Sequence, residues 1–560
     1  MGKYVYDPST FKEVFEKEFV YIKGLLRNAK RFGNKSALTC PIRERTWTYR
    51  ELNEECNKLA NALLNAGVRK GDVITYMFPN IAEFVFFYLA PQKIGAINNP
   101  INYRLAPGEV AYILDESEPV VFAFESSVMD TATKAVEMAK HKPEVMIMVD
   151  VEGEASPPNG VVDYRDFVRD MPKREPLNED EIPSTAFDET TRLYTSGTTG
   201  LPKGVPINNI NEILSAHDVI MHFPLSPLDK TMNMTPWFHR GGLYSGGPNP
   251  TLYIGGEVVA LKYFNPDLVL DYVEKYKITY LIGAPITAEM IYEAQLKKQR
   301  DLSSLKGLCT MGSPLERSAC IKYMQVLTPN IMNGYGTTET FWNTFLRPFD
   351  LPDKAGSAGR SCTDDDVRVV KVFEDRLAEP NELAEKDNQE VGEVIIKSPA
   401  KFAYTYLNPK FNEGRIYKGW YYSKDLATWD ENEYVTIIGR KDDMFISGGE
   451  NIYPVQIEEI LNEHPKVADS IVVGVPDEKW GKVCTAYVVP KDPSLTAEEL
   501  DEYCKNHPML SRFKRPRYYR FVNELPLTAT GKKKHYVVEK MALEDLKEGR
   551  LVSPRKKLMR

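Results

Sequence analysis

Between residues 48 and 120 the chain alternates two hydrophobic rhythms. In TYRELNEECNKLANALLNAG (48–67) apolar residues recur at helical spacing and a glycine closes the run. DVITYMF (72–78) is a short apolar block of strand type, and EFVFFYLAPQKIG (83–95) reads as the next helix. Strand–helix–strand alternation of this kind predicts a parallel sheet covered by helices. Two polar, proline-containing connectors follow, VEGEASPPNG (151–160) and REPLNEDEIPSTAFDE (174–189). The second leads into TRLY (191–194), a short strand, and a further βα series is expected over 205–340. From about 350 the rhythm shortens. DVRVVKVF, EVGEVIIKS and YVTIIGR predict a β-barrel-like unit extending to 441. Beyond Asp442, the helix pattern PVQIEEILNEH and the strands SIVVGV and CTAYVVP indicate a compact α/β unit. The expected fold is therefore α/β, with a large N-terminal domain (1–441) and a small, mobile α/β C-terminal domain (442–560).

A chain of 560 residues with 42% hydrophobic and 27% charged positions is long enough for several cores. A net charge of −8 argues against a general nucleic-acid binder. The seven cysteines (40, 56, 309, 320, 362, 484, 504) contain no C-x-x-C pair, which fits a reducing compartment with thiols rather than disulfides or zinc. The N-terminal residues lack a signal-peptide core, and Tyr6 stands where myristoylation requires Ser or Thr. The most apolar stretch, 81–100, is interrupted by Glu83, Pro91 and Lys93 and is unfit to span a bilayer. The expected location is the cytoplasm. Oligomeric state is open, a homodimer being compatible.

Four stretches carry candidate chemistry. YTSGTTGLPKG (194–204) surrounds Lys203 with glycines and hydroxyls, a composition suited to an anion, although it fails the G-x-x-x-x-G-K-[ST] template and also reads as a surface loop. NGYGTTET (333–340) is not a dinucleotide fingerprint, since Glu339 stands where the last glycine belongs. Glu339 can ligate Mg²⁺ alongside phosphate oxygens, or simply belong to a capped helix start. In GWYYSKDLATWDENEYVTIIGRKDD (419–443), Asp425 is placed to bind sugar hydroxyls or to sit in a charged turn. LPLTATGKKKH (525–535) presents Lys532 after a Thr/Gly turn, within a basic run.

In order and spacing these stretches resemble the adenylate-forming enzymes: acyl- and aryl-CoA synthetases, peptide-synthetase adenylation domains and firefly luciferase. The resemblance spans WTYREL near residue 47 to TGKKK near 533. It implies that Thr195, Ser196, Gly197, Thr198, Thr199, Gly200 and Lys203 close on the ATP β- and γ-phosphates. Thr338 would meet the α-phosphate and Glu339 would hold Mg²⁺. Gly312, Ser313, Pro314 and Tyr335 would border the adenine, and Asp425 and Arg440 the ribose. Lys532 would bridge the α-phosphate and the substrate carboxylate. Asp442 aligns with the family's hinge, whose rotation would exchange Lys532 for SGGENIYP. Gly448 and Gly449 there would let a coenzyme A arm pass close to the backbone.

The GGEN form is similar to that of the CoA ligases, and the chain ends soon after Lys532, without room for a carrier domain. The expectation is thus an AMP-forming acid–CoA ligase using ATP, Mg²⁺ and coenzyme A, with transfer to a carrier protein or other acceptor as the alternative. A dead nucleotide-binding relative would have no need of Lys203, Glu339, Asp425 and Lys532 together. Residues 505–534 hold nine Lys or Arg against Glu524 alone, a face suited to CoA phosphates or to plain solvation. TPWFHRGGLYSGG (235–247) matches the family's aromatic gate, so Trp237, His239 and Gly241 are expected to line a medium-chain, alicyclic or aromatic acid. Arg240 is unusual there. It is a candidate reader of a second substrate carboxylate, or else an outward-facing or structural arginine. Three departures stand out: Lys424 replaces the usual Gly before Asp425, Asn209 replaces a His, and Ile446 replaces a hinge-region Lys of some relatives.

Overall fold

The computed structural model describes residues 6–196, 201–373, 375–441, 445–452, 454–526, 533 and 535–554. The helix Tyr49–Asn65 starts at a capping box in which Thr48 and Glu51 each bind the other's backbone N–H, at 2.8 and 3.3 Å. Strand Val73–Met77 is buried throughout and pairs in parallel with Ile97–Pro100 and Val121–Glu125. Helix Ala82–Leu89 is apolar all round except at Glu83 because every one of its residues is buried. These strands belong to a seven-stranded sheet whose far edge is an antiparallel hairpin, Glu189–Ser196 with Pro202–Asn208. The short TRLY strand thus extends to eight residues, Glu189–Ser196, and the strand that follows the glycine-rich stretch, Pro202–Asn208, pairs back against it.

The βα series from 205 onward supplies a second, nine-stranded sheet. Lys230–Asn233, Glu257–Val259, Tyr280–Gly283, Gly307–Met311 and Ile331–Thr337 run parallel in it, with antiparallel strands at both ends. Asp366–Val370, Gly392–Lys397, Ile416–Tyr417, Trp420–Trp429 and Val435–Arg440 make a separate five-stranded antiparallel sheet. A smaller C-terminal unit follows. It contains the hairpin Phe445–Ser447/Glu450–Ile452, a three-stranded sheet, and the helices Pro454–Asn462, Ala497–Asn506 and His535–Lys547. Its own apolar core gathers Ile457, Leu461, Val472, Val488 and Leu500. All seven cysteines are buried free thiols. Among the described residues no helix is long and apolar enough to cross a membrane.

The C-terminal unit docks on the large domain through buried charge. Lys514 Nζ donates to Glu109 Oε1 at 2.6 Å, Ser511 donates to the other carboxylate oxygen, and the Gly108 N–H donates to the Pro508 carbonyl at 3.0 Å. On the same side Arg104 Nη1 reaches Glu450 Oε1 at 2.7 Å.

Candidate active site

A cleft of about 590 Å³ opens where the nine-stranded sheet, the five-stranded sheet and the C-terminal unit meet. Its walls come from segments far apart in sequence. Thr195 and Lys203 enter from the hairpin strands, Gly312, Ser313 and Pro314 from the loop after Gly307–Met311, Tyr335 from the strand Ile331–Thr337, and Thr338 and Glu339 from the turn after it. Asp425 comes from the five-stranded sheet and Gly449 from the C-terminal hairpin.

Glu339 is the electrostatic centre. Burial alone would favour its neutral acid, but the charge of Arg415 and the Tyr406 hydroxyl outweigh that cost and hold the carboxyl below its usual range. An ionised carboxylate on the wall of a cleft has the hard-oxygen character that Mg²⁺ takes. The Lys203 ammonium lies 4.8 Å from the centre of the Phe411 ring and 5.6 Å from that of Tyr406, the ring whose hydroxyl binds Glu339. Lys203, Tyr406 and Glu339 thus form one contiguous group. Across the cleft Tyr335 donates its hydroxyl to Asp425 Oδ2 at 2.8 Å. Arg440 pairs with Asp425 in the antiparallel register, which sets its backbone beside that of Asp425.

Lys424 has φ of +63°, in the left-handed region that L-residues avoid. The glycine usual at this position meets that conformation without steric strain, and the lysine adopts it with its N–H bonded to Glu393 Oε1 at 3.1 Å. Asn209 is wholly buried and accepts from the Tyr21 N–H at 2.9 Å, joining two helices. Ile446 faces the cleft.

His239 stands between the main cleft and a narrow passage of about 70 Å³ lined by Glu109, Phe238, Glu450 and Lys514. Its Nε2 lies 3.6 Å from Glu450 Oε2. Gly448 and Gly449, with φ of +58° and +82°, turn the hairpin there, and the Gly448 N–H is bonded to the Trp480 carbonyl at 2.9 Å. At Gly449 an added Cβ would meet no heavy atom within 4 Å, so bare backbone faces the cleft.

Of the aromatic gate, Trp237 does not stand where the sequence puts it, while Arg240 takes the structural one of its expected roles. Trp237 is fully buried, packs on Phe84 and donates Nε1 to Asn233 Oδ1 at 3.2 Å, so it is core and lines neither cavity. Arg240 borders the cleft but turns inward. Its guanidinium donates to the carbonyls of Thr338, Glu339 and Lys401 at 2.7, 2.6 and 2.5 Å, which commits it to main chain rather than to a substrate carboxylate. Gly241 does line the cleft, where a Cβ would come 2.7 Å from Met311 Sδ. Lys532, Asp442, Gly197, Thr198, Thr199 and Gly200 lie outside the described residues, as do the side chains of Ser196 and Arg440.

Sequence reasoning passed over Tyr406, Arg415, Glu109, Lys514 and the pairing of Glu450 with Arg104. Arg415 and Tyr406 sit in ordinary-looking loop sequence, and no spacing signal marks them. Only the contact with Glu339 gives them a role.

The chain resembles known proteins over nearly its full length. A profile of the AMP-binding enzyme family matches residues 25–407, and one of the AMP-binding enzyme C-terminal domain matches 456–532. A feruloyl-CoA synthase from an Amycolatopsis species is 31% identical over 487 residues, 87% of this chain and 92% of that protein. The o-succinylbenzoate–CoA synthetase of Bacillus subtilis, bound to its product analogue, superposes with a TM-score of 0.78 at 26% identity, over 92% of this chain and 98% of that one. The same enzyme with its acyl-adenylate gives 0.64 over 92% and 97%. An amide bond synthetase from Marinactinospora thermotolerans gives 0.80 at 25% identity, over 93% and 99%. Sequence profile, curated relative and three-dimensional superposition agree over both domains, and the chain belongs to the AMP-binding enzymes, the adenylate-forming superfamily.

Proposed function

We propose that this protein is a carboxylic acid–CoA ligase of the AMP-forming type, working in two steps at one cleft on an aromatic, alicyclic or medium-chain acid. The observation that carries the reading is the meeting of an ionised, buried Glu339 with the unshielded backbone of Gly449 on the walls of a single cavity. The first serves phosphoryl chemistry and the second admits a narrow thiol-bearing arm.

In the first step the acid's carboxylate attacks the α-phosphorus of ATP and pyrophosphate leaves. Both reactants are anions, so positioned positive charge lowers the barrier. Lys203 and the hydroxyls of Thr195 and Thr338 orient the phosphates, Asp425 and Tyr335 face the sugar and base, and Lys532 reaches the reacting carboxylate. Magnesium, held by Glu339 with phosphate oxygens, would neutralise charge on the transferring group. In the second step the CoA thiol attacks the acyl carbonyl of the mixed anhydride and AMP leaves. His239 and Glu450 then border the thiol's path through the narrow passage. The proposed domain boundary lies at Asp442, and the cytoplasm is the proposed location.

Feruloyl-CoA synthase and o-succinylbenzoate–CoA synthetase both act on aryl acids, which supports a ring-bearing substrate. The test is thioester formation from ATP, Mg²⁺, CoA and a panel of acids graded in length and ring content. A CoA-dependent thioester with at least one aromatic or medium-chain acid is expected. Pyrophosphate release without any thioester would overturn the CoA reading. Transfer to an amine or carrier-bound thiol is the second reading, favoured by the likeness to the amide bond synthetase. It predicts that hydroxylamine or an amine consumes the adenylate faster than CoA does.

A further inference from the structure

Beneath the cleft lie two cations that the reaction does not use, Arg240 and Lys401, respectively 3% and 0% exposed. Lys401 Nζ is 2.9 Å from Asp218, 2.7 Å from Asp365 and 2.7 Å from the Trp342 carbonyl. It thereby neutralises the neighbouring Asp218–His222–Cys362 cluster, whose spacing would otherwise suit a metal.

We propose that Arg240 is a positioning residue for the adenylation step: with Lys401 it fixes the turn carrying Thr338 and Glu339 before nucleotide or metal arrives. The inference rests on the reading of Glu339 as the magnesium carboxylate. The turn needs an outside support. Phe341 at its end has φ of +62°, and the hairpin register shifts between Tyr335 and Gly336. Arg240 donates to two successive carbonyls, the part-buried one of Thr338 and the buried one of Glu339, and a buried carbonyl left without a donor costs roughly 1–3 kcal/mol. Its second amino group holds the Lys401 carbonyl, five residues before Tyr406, whose hydroxyl bonds the Glu339 carboxylate. Lys401 in turn grips the carbonyl of Trp342, just past the turn. The two cations therefore bracket residues 338–342 from both ends. Arg240 also lies 5.7 Å from the Phe341 ring, over the strained residue itself. A lysine at 240 would keep the charge but offer one compact centre where the planar fork spans three carbonyls.

The test measures ATP affinity calorimetrically, with Mg²⁺ and with EDTA, in the wild type and Arg240→Lys. The gain in affinity from Mg²⁺ is expected to fall about tenfold in the variant, while affinity in EDTA and the KM for the acid stay within about threefold. An undiminished gain in Arg240→Lys, with a normal gain in the wild type, overturns the role of Arg240 alone. A wild type that gains nothing from Mg²⁺ overturns the Glu339 reading and this role with it. A selective loss of dicarboxylic substrates, with Mg²⁺·ATP binding unchanged, would make Arg240 a substrate reader instead. Should the variant not fold, hydrogen exchange on the ligand-free wild type decides. Slow exchange of the 335–342 peptide is expected, and exchange within seconds, slowed only by Mg²⁺·ATP, overturns the bracket.

Discussion

Arg104 of the large domain and Glu450 of the C-terminal unit meet at 2.7 Å, and His239 lies 3.6 Å from the same carboxylate on its other oxygen. Together with the Glu109–Lys514 pair at 2.6 Å, this contact makes the docked arrangement depend on two buried carboxylates being ionised.

Docking is predicted to weaken in acid. Burial pushes both carboxyls toward the neutral acid. His239 and Arg104 at Glu450, and Lys514 and Ser511 at Glu109, overcome it and hold both below the usual 4.5. A depressed carboxyl contributes fully above its free value and loses that contribution as pH falls through its lowered one. The interface is therefore expected to hold at pH 6–8 and to open below about 4.5. Small-angle scattering should show a longer maximum dimension at pH 4 than at pH 7. The Glu109→Gln/Glu450→Gln double variant should already be extended at pH 7.

Lys532→Ala is predicted to slow adenylation at least about a hundredfold, the scale of one lost transition-state charge, and thioester formation from preformed acyl-adenylate less than about threefold. Its neighbour Lys533 is tied inside the C-terminal unit, to Glu458 at 3.1 Å and to the Ser470 carbonyl at 2.6 Å, while Gly449 and Glu450 face the cavities. Single-turnover measurement of each half-reaction checks this, and equal losses in both would refute the division of labour.

Gly449→Leu is predicted to act on the opposite half-reaction. The added side chain would project into the cleft from a backbone at φ +82°, so it both narrows the CoA path and strains the hairpin. Thioester formation should fall at least about tenfold with pyrophosphate release little changed. An unaltered thioester rate would remove Gly449 from the CoA path.

At position 424 the ordinary preference for alanine over glycine is predicted to reverse. The residue sits at φ +63°, where a Cβ costs roughly 1–2 kcal/mol and glycine's extra chain entropy about 0.5–1. Lys424→Gly should therefore be more stable than Lys424→Ala by up to about 1.5 kcal/mol in denaturant melts. A less stable glycine variant would show that the strain is relieved elsewhere.

Much of the architecture was legible because burial writes itself as periodicity. The run Val73–Met77 is buried at every position and apolar apart from Thr75 since both faces are covered, and the helix after it is apolar but for Glu83 for the same reason. The capping pair Thr48 and Glu51 lies three residues apart and is readable as text. That the strands flanking the glycine-rich stretch pair with each other was not legible, because a strand that pairs backward and one that precedes a helix share the same local pattern.

The candidate site divides along the same line. Glu339, Asp425 and Lys203 stand in short stretches whose residue types announce charge chemistry, so the sequence alone nominated them and the order in which they occur. Which way a side chain faces was decided only in three dimensions. Trp237 and Arg240 stand three residues apart in one motif, yet one is core and the other ties three distant carbonyls together. A buried guanidinium needs acceptors wherever the folded chain supplies them, and acceptors 98 and 161 residues away leave no mark on the local pattern.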